Sequence, residues 1–176
     1  MARGDHNDPG SGHSPDISVN VLRPAEWQLV RRLRRRALRE SPDALAPYER
    51  EAQWQSHDWA RTFDAGRWFV ANADRRAVGL ARSLPEPAKP WQRNIESVWV
   101  APGFRGRGIA RRLVDAVIEF EVPNGVTQLL AWVLDGNDRA RVVYRRRGFE
   151  PARVQQPFPG WPGRTEERFV RRLAAD

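Results

Sequence analysis

The chain has 176 residues and carries 30 basic against 22 acidic side chains, a formal net charge of +8. That length suits one domain able to bury a core, and the absence of cysteine excludes disulfide frameworks, thiolate metal sites and a cysteine nucleophile. No run reaches the about 18 apolar residues of a membrane span and no apolar leader opens the chain, so a soluble, cytoplasmic protein is expected.

Residues 1–16 are polar, rich in Gly, Pro and Asp, and read as a disordered tail ahead of a single domain at 17–176. His6 and His13 lie in that tail. His57 is then the one histidine of the domain, which argues against a histidine triad or a multi-histidine metal site. From Ile17 to Arg23 apolar residues alternate as in a half-buried strand. Pro24 suits the first turn of a helix over 25–39, with Trp27, Val30, Leu33 and Leu38 among six arginines. Ser41-Pro42-Asp43 interrupts it before a second helix from about Ala44 to Phe63. Trp68–Asn72 and Ala77–Ser83 predict a hairpin, and a proline-rich loop (Leu84–Pro90) leads to a strand at Asn94–Ala101. A helix at about Gly106–Phe120, a strand at Thr127–Leu134, a helix at Asn137–Arg147 and strands at Phe149–Gln155 and Thr165–Leu173 complete the order βααβββαβαββ. The class is mixed α/β: a central mixed sheet flanked by helices, with a parallel crossover within 94–134.

The segment Val98-Trp99-Val100-Ala101-Pro102-Gly103-Phe104-Arg105-Gly106-Arg107-Gly108-Ile109-Ala110 ends a strand and opens a helix through a glycine-punctuated turn. Gly106 and Gly108 let the backbone curl with its N–H groups clear, and those groups sit at the positive end of a helix, where an anion binds. A nucleotide P-loop would need Gly-Lys-Ser/Thr, which is missing. A dinucleotide fingerprint would need a third small residue where Arg111 stands. R-x-x-G-x-A after V-x-V-x-P fits, through Arg105, Gly108 and Ala110.

This pattern resembles the coenzyme A loop of the GNAT superfamily of acyl-CoA N-acyltransferases. Asn137, Ala140 and Tyr144, followed by Gly148-Phe149, resemble a second motif of the same superfamily. The arginine-rich helix, Ser41-Pro42 and the Trp54–Trp59 helix resemble one of its branches. The resemblance covers about residues 17–173 and is sharpest over 94–149. It implies a GNAT-like domain that uses acetyl-CoA as co-substrate, with no metal. The backbone of Val98, Trp99 and Val100 would pair with the pantetheine arm, and Arg105, Gly106, Arg107, Gly108, Ile109 and Ala110 would hold the pyrophosphate. Arg111, with Arg112, carries its charge either to those phosphates or to solvent. Asn137 either bonds the cofactor or caps its helix. Tyr144 would protonate the departing thiolate, with backbone N–H groups stabilising the oxyanion. Glu96 is the candidate base, directly or through water; His57 is a weaker candidate that no motif supports.

The implied activity is N-acetyl transfer to a primary amine in a ternary complex. The acceptor, small molecule or protein amine, stays open, although the positive surface disfavours polyamines. Trp54, Trp59, Trp91 and the loop Pro157–Gly163 lie where this fold usually builds its acceptor pocket, and such folds are commonly homodimers. Two other readings use the same residues. All but one of the basic residues are arginine, whose planar fork holds phosphates, so a nucleic-acid-associated module centred on Arg32–Arg39 is one alternative. Against it, no nucleic-acid-binding signature appears. A GNAT-like protein that binds acyl-CoA without turnover is the other.

Overall fold

A computed structural model of the chain describes residues 15–41, 51–159 and 161–173. Most of the expected tail, with His6 and His13, lies outside the described residues, as do 42–50 of the expected second helix and Gly160. The described elements are β1 (Ile17–Val21), α1 (Trp27–Glu40), α2 (Ser56–Asp64), β2 (Arg67–Ala73), β3 (Arg76–Glu86) and β4 (Lys89–Val100), followed by α3 (Ile109–Glu121), β5 (Gln128–Leu134), α4 (Asp138–Arg145), β6 (Glu150–Pro157) and β7 (Thr165–Arg172). The seven strands form one sheet in the order β1-β2-β3-β4-β5-β7-β6. Every neighbouring pair is antiparallel except β4 and β5. Among the described residues no helix is long and apolar enough to cross a membrane.

Register sorts the side chains into two layers. Arg82 lies opposite both Trp68 and Glu96, and its guanidinium donates to the Thr62 carbonyl of α2 at 2.8 Å. That face of the sheet is therefore the one covered by α1 and α2. Their neighbours in sequence point the other way: Ser83 donates to Glu121 of α3 at 2.6 Å, and Arg93 approaches the same carboxylate at 3.4 Å. The helices sit where their apolar stripes demand. In α1, Val30, Leu33, Ala37 and Leu38 are buried, and in α3 so are Ile109, Leu113, Val114, Val117 and Ile118.

Three expectations require correction. The helix expected over 44–63 is interrupted at Trp54–Gln55: Gln55 is extended, and its N–H donates to the Asp58 carboxylate at 2.9 Å, starting α2 afresh. The proline-rich segment 84–90 is mostly strand, an arm in which Pro85 faces Arg93 and the chain reverses at Pro87-Ala88. Beyond Ser83 strand β3 has no partner in β2, so Pro85 meets a sheet neighbour on one side only, the setting in which a strand tolerates the missing N–H. The third helix begins at Ile109 rather than Gly106, because Gly106 and Gly108 hold φ of +79° and +74°, outside helical backbone.

Within the α1–α2 layer lies a buried ion pair. Arg34 of α1 grips Glu51 through Nη2 at 2.8 Å and Nε at 3.0 Å, and each side chain is only 9% exposed. Removing one partner alone, as in Glu51→Leu, leaves a buried charge and is expected to cost about 3–5 kcal/mol in urea unfolding. The double variant Arg34→Met/Glu51→Leu recovers most of that loss. A second test concerns pH. Glu166 of β7 is buried and accepts from Gln156 at 2.7 Å; desolvation raises its carboxyl above the ordinary 4.5, with the Gln156 bond opposing. The native state then holds this proton more tightly than the unfolded chain, so stability present below that value is lost as pH rises through the raised one. Glu166→Gln keeps the acceptor oxygen, and unfolding curves at acid and neutral pH should show the loss diminished.

Candidate functional site

Strands β4 and β5 pair only at Gln92–Gln128, Arg93–Leu129 and Asn94–Leu130. From Ile95 onward β4 keeps β3 as its neighbour, and from Ala131 β5 keeps β7, so the facing edges of the two strands carry unpaired main-chain groups. A bulge lies at the parting. Leu80 faces Trp99 and Arg82 faces Glu96, so Ser97 and Val98 together oppose Ala81, and Ser97 holds the left-handed φ of +57°. A bulge bends its strand, here at the point where β4 leaves β5. It also resets the alternation, placing Glu96 and Trp99 on the α1–α2 face although they are three residues apart.

Past Val100 the chain makes a short turn at Pro102–Phe104 and enters the glycine loop. The Arg105 side chain makes two bonds within the chain: its Nε donates to the Val100 carbonyl at 3.0 Å and its Nη2 to the Ser41 hydroxyl at 3.2 Å. It ties the loop to the ends of β4 and α1. The backbone N–H groups of Gly106 through Arg111 have no backbone acceptor among the described residues; Arg112, donating to the Gly108 carbonyl at 3.1 Å, is the first that does. Side chains built at Gly106 and Gly108 would meet nothing within 4 Å, so these glycines serve backbone conformation, and the space above the loop is open. Six consecutive donors around a helix start fit a pyrophosphate, and the unpaired edge of Val98–Val100 fits an extended amide chain. Of the neighbouring arginines, Arg112 reaches back to the Ile17 carbonyl at 2.8 Å, Arg107 lies over Phe104 at 5.5 Å, and Arg111 is exposed.

Tyr144 projects from α4. Arg141 of the same helix lies over Phe169, which faces Ala131 on the side of the sheet away from Glu96. Tyr144 is 6% exposed and meets Phe149 edge-on at 5.2 Å. Burial pushes its hydroxyl well above the ordinary 10.0 expected from sequence, so it remains a proton donor through the physiological range. Asn137 is the helix cap: its side-chain oxygen accepts from the Ala140 N–H at 3.2 Å. On the opposite face Glu96 is 42% exposed and accepts from Arg82 at 3.1 Å. Glu96 and Tyr144 thus lie on opposite faces of the sheet, one in each helical layer.

Other expected residues are not gathered there. His57 is on the surface of α2 beside Asp58 at 3.2 Å, 65% exposed. Trp59 is wholly buried with Trp54 edge-on at 4.9 Å, whereas Trp91 is 48% exposed beside the paired end of β4, where its carbonyl accepts from Thr127. Of the α1 arginines, Arg34 is spent on Glu51 and Arg36 on Glu40, whereas Arg31, Arg32, Arg35 and Arg39 line one shallow groove along the helix, with Arg35 also donating to the Ala52 carbonyl. Arg82 and the Ser97 bulge were missed from sequence, since their place depends on strand register, which no local pattern encodes.

A sheet parted beside a strand-to-helix turn of unpaired N–H groups defines the class of acyl-CoA N-acyltransferases. The chain belongs to the acetyltransferase (GNAT) family, whose model matches residues 27–149. It is 30% identical over 114 residues to an uncharacterized N-acetyltransferase of Methanocaldococcus jannaschii, a match covering 62% of this chain and 49% of that one. It is 33% identical over 94 residues to the L-2,4-diaminobutyric acid acetyltransferase of Nocardia farcinica, covering 51% and 48%. The matches thus span about half the length of these relatives. An acetyltransferase from Salmonella typhimurium, solved with acetyl-CoA, shares the fold with a TM-score of 0.73 at 15% identity, over 92% of this chain and 95% of that one.

Gly108→Ala tests the loop. A side chain forced to φ of +74° costs roughly 1–2 kcal/mol without any clash. Denaturant unfolding should show that loss, and calorimetry a weakened affinity for coenzyme A as the donors lose their alignment.

Proposed function

We propose that this chain transfers an acetyl group from acetyl-CoA to a primary amine by direct attack within a ternary complex. The observation that carries the reading is the run of unpaired N–H groups from Gly106 to Arg111, adjoining the unpaired β4 edge. Gly106, Arg107, Gly108, Ile109, Ala110 and Arg111 receive the pyrophosphate through these donors. Val98, Trp99 and Val100 receive the pantetheine amides along the strand. Arg105 acts as a positioning residue that fixes the loop against Val100 and Ser41, and Asn137 positions Tyr144 by capping α4. When bound, acetyl-CoA supplies the activated thioester.

The residues of the chain then handle the protons. Glu96 accepts the proton that the ammonium must lose, directly or through water, and Arg82 holds its carboxylate toward the opening. An N–C bond forms as the C–S bond breaks, and Tyr144 delivers its proton to sulfur. Free backbone N–H groups of the parted edge stabilise the charge that develops on the carbonyl oxygen. Holding amine and thioester in one opening supplies much of the acceleration. The similarity to a diaminobutyric acid acetyltransferase supports a small amine as acceptor.

Tyr144→Phe should lower kcat by about 10²–10⁴-fold, the usual worth of a proton donor, with acetyl-CoA affinity in calorimetry nearly intact. Glu96→Gln should lower kcat/KM for the amine, most strongly toward neutral pH, where the amine is protonated. The rate should rise with pH and show no falling limb attributable to Tyr144 below the ordinary phenol value of 10.0. Unchanged turnover in Tyr144→Phe would remove it as the acid, and failure to bind acetyl-CoA would overturn the reading.

A further inference from the structure

The face of the sheet that carries Glu96 and Trp99 buries several side-chain donors without partners. Eight buried side-chain polar atoms lack a partner among the described residues, and all but Asn94 Oδ1 are donors. Several belong to one layer: Arg82 Nε, Trp99 Nε1 and Arg168 Nε on the sheet, with Arg34 Nη1 and Trp59 Nε1 on the segments covering it. Strand register places the sheet residues on a single face. Asn94 and Leu130 are neighbours in the parallel pair, so Glu96 and Trp132, each two residues on, point the same way. Trp132 faces Arg168 across β5 and β7. Glu96 and Arg168 therefore flank the opening on one face, Glu96 from β4 and Arg168 from beyond β5.

These cations are not equivalent. Arg34 and Arg82 are neutralised by Glu51 and Glu96. Arg168 is half-buried, and its guanidinium stacks over the Trp132 ring at 5.7 Å. Glu166, two residues before it on the same strand, accepts from Gln156. A half-buried guanidinium fixed on an aromatic plane is preorganised for a planar anion, which it binds with two parallel hydrogen bonds.

We propose that Arg168, seated on Trp132, binds the carboxylate of an acceptor that carries both an amine and a carboxylate, so that amino acids rather than plain amines are the substrates. The inference rests on the acetyl-transfer reading and adds the substrate class. The carboxylate pairs with the outer edge of the Arg168 guanidinium, and Glu96, paired with Arg82 but 42% exposed, receives the amine end.

The test compares each acid with its decarboxylated counterpart: L-2,4-diaminobutyrate with 1,3-diaminopropane, and L-lysine with cadaverine. Thiol release is followed at saturating acetyl-CoA. The expected result is a kcat/KM at least about tenfold higher for the acid, because a site built around an anion discriminates against a ligand lacking it. Arg168→Gln should bring that ratio toward one through a higher KM for the acid, and Arg168→Lys, which keeps the charge without the fork, should retain part of it. Equal or better use of the diamines, no turnover of either acid, or an equal loss for both members in Arg168→Gln would each overturn the proposal. Calorimetry with acetyl-CoA separates these outcomes from failure of the underlying reading, which would appear as no cofactor binding.

Discussion

The site depends on two neighbouring strands ceasing to pair. Strands β4 and β5 share only three register positions, and past Asn94 and Leu130 each keeps a partner on its far side alone. Main-chain groups inside a protein are almost always paired, so two facing unpaired edges invite another chain of amides. The Ser97 bulge lies at the fork and holds a backbone conformation that costs a non-glycine residue of order 1–3 kcal/mol. Such strain persists only where its surroundings enforce it, here through pairing with β3 on both sides of the bulge.

The two candidate proton-handling groups belong to the two layers that the sheet separates. Tyr144 belongs to the layer of α3 and α4, buried against Phe149, and its raised hydroxyl pKa follows from that burial. Glu96 belongs to the layer of α1 and α2, held by Arg82 and half in solvent. Their chemical difference comes from these surroundings. The phenol keeps its proton because burial disfavours the anion. The carboxylate sits against a fixed cation at the rim of the opening, within reach of water.

The charge of the chain has a plainer role than its size suggests. Arginines close an ion pair with Glu51, tether the glycine loop to Val100, fasten α3 to β1 and anchor α4 to Asp135 and Glu167. A guanidinium can bond several acceptors and lie flat on an aromatic ring at once, which suits it to crossings between elements. Composition shows the number of arginines but not which of them face inward. Arg34 is buried and Arg39 exposed on the same helix, according to which side of α1 each stands on.

Much was legible from local pattern alone. Element order, the apolar stripes of α1 and α3 and the glycine loop follow from period and from backbone requirements, which act within a few residues, whereas the motif around Tyr144 was legible as a family resemblance. The misread stretches were those where a distant partner overrides local preference. Prolines 85 and 90 lie in strands because β3 and β4 pair with each other past the end of β2. Trp91, grouped from sequence with Trp54 and Trp59, is at the other end of β4. The sequence by itself determined the fold class and the presence of a glycine turn opening a helix, since these rest on hydrophobic periodicity and on glycine at positive φ. The tertiary structure alone decided where the sheet parts, that a bulge brings Glu96 and Trp99 to one face, and that Arg168 shares it. Those facts depend on which residues of separate strands stand opposite each other, and that register is set by packing of the whole sheet.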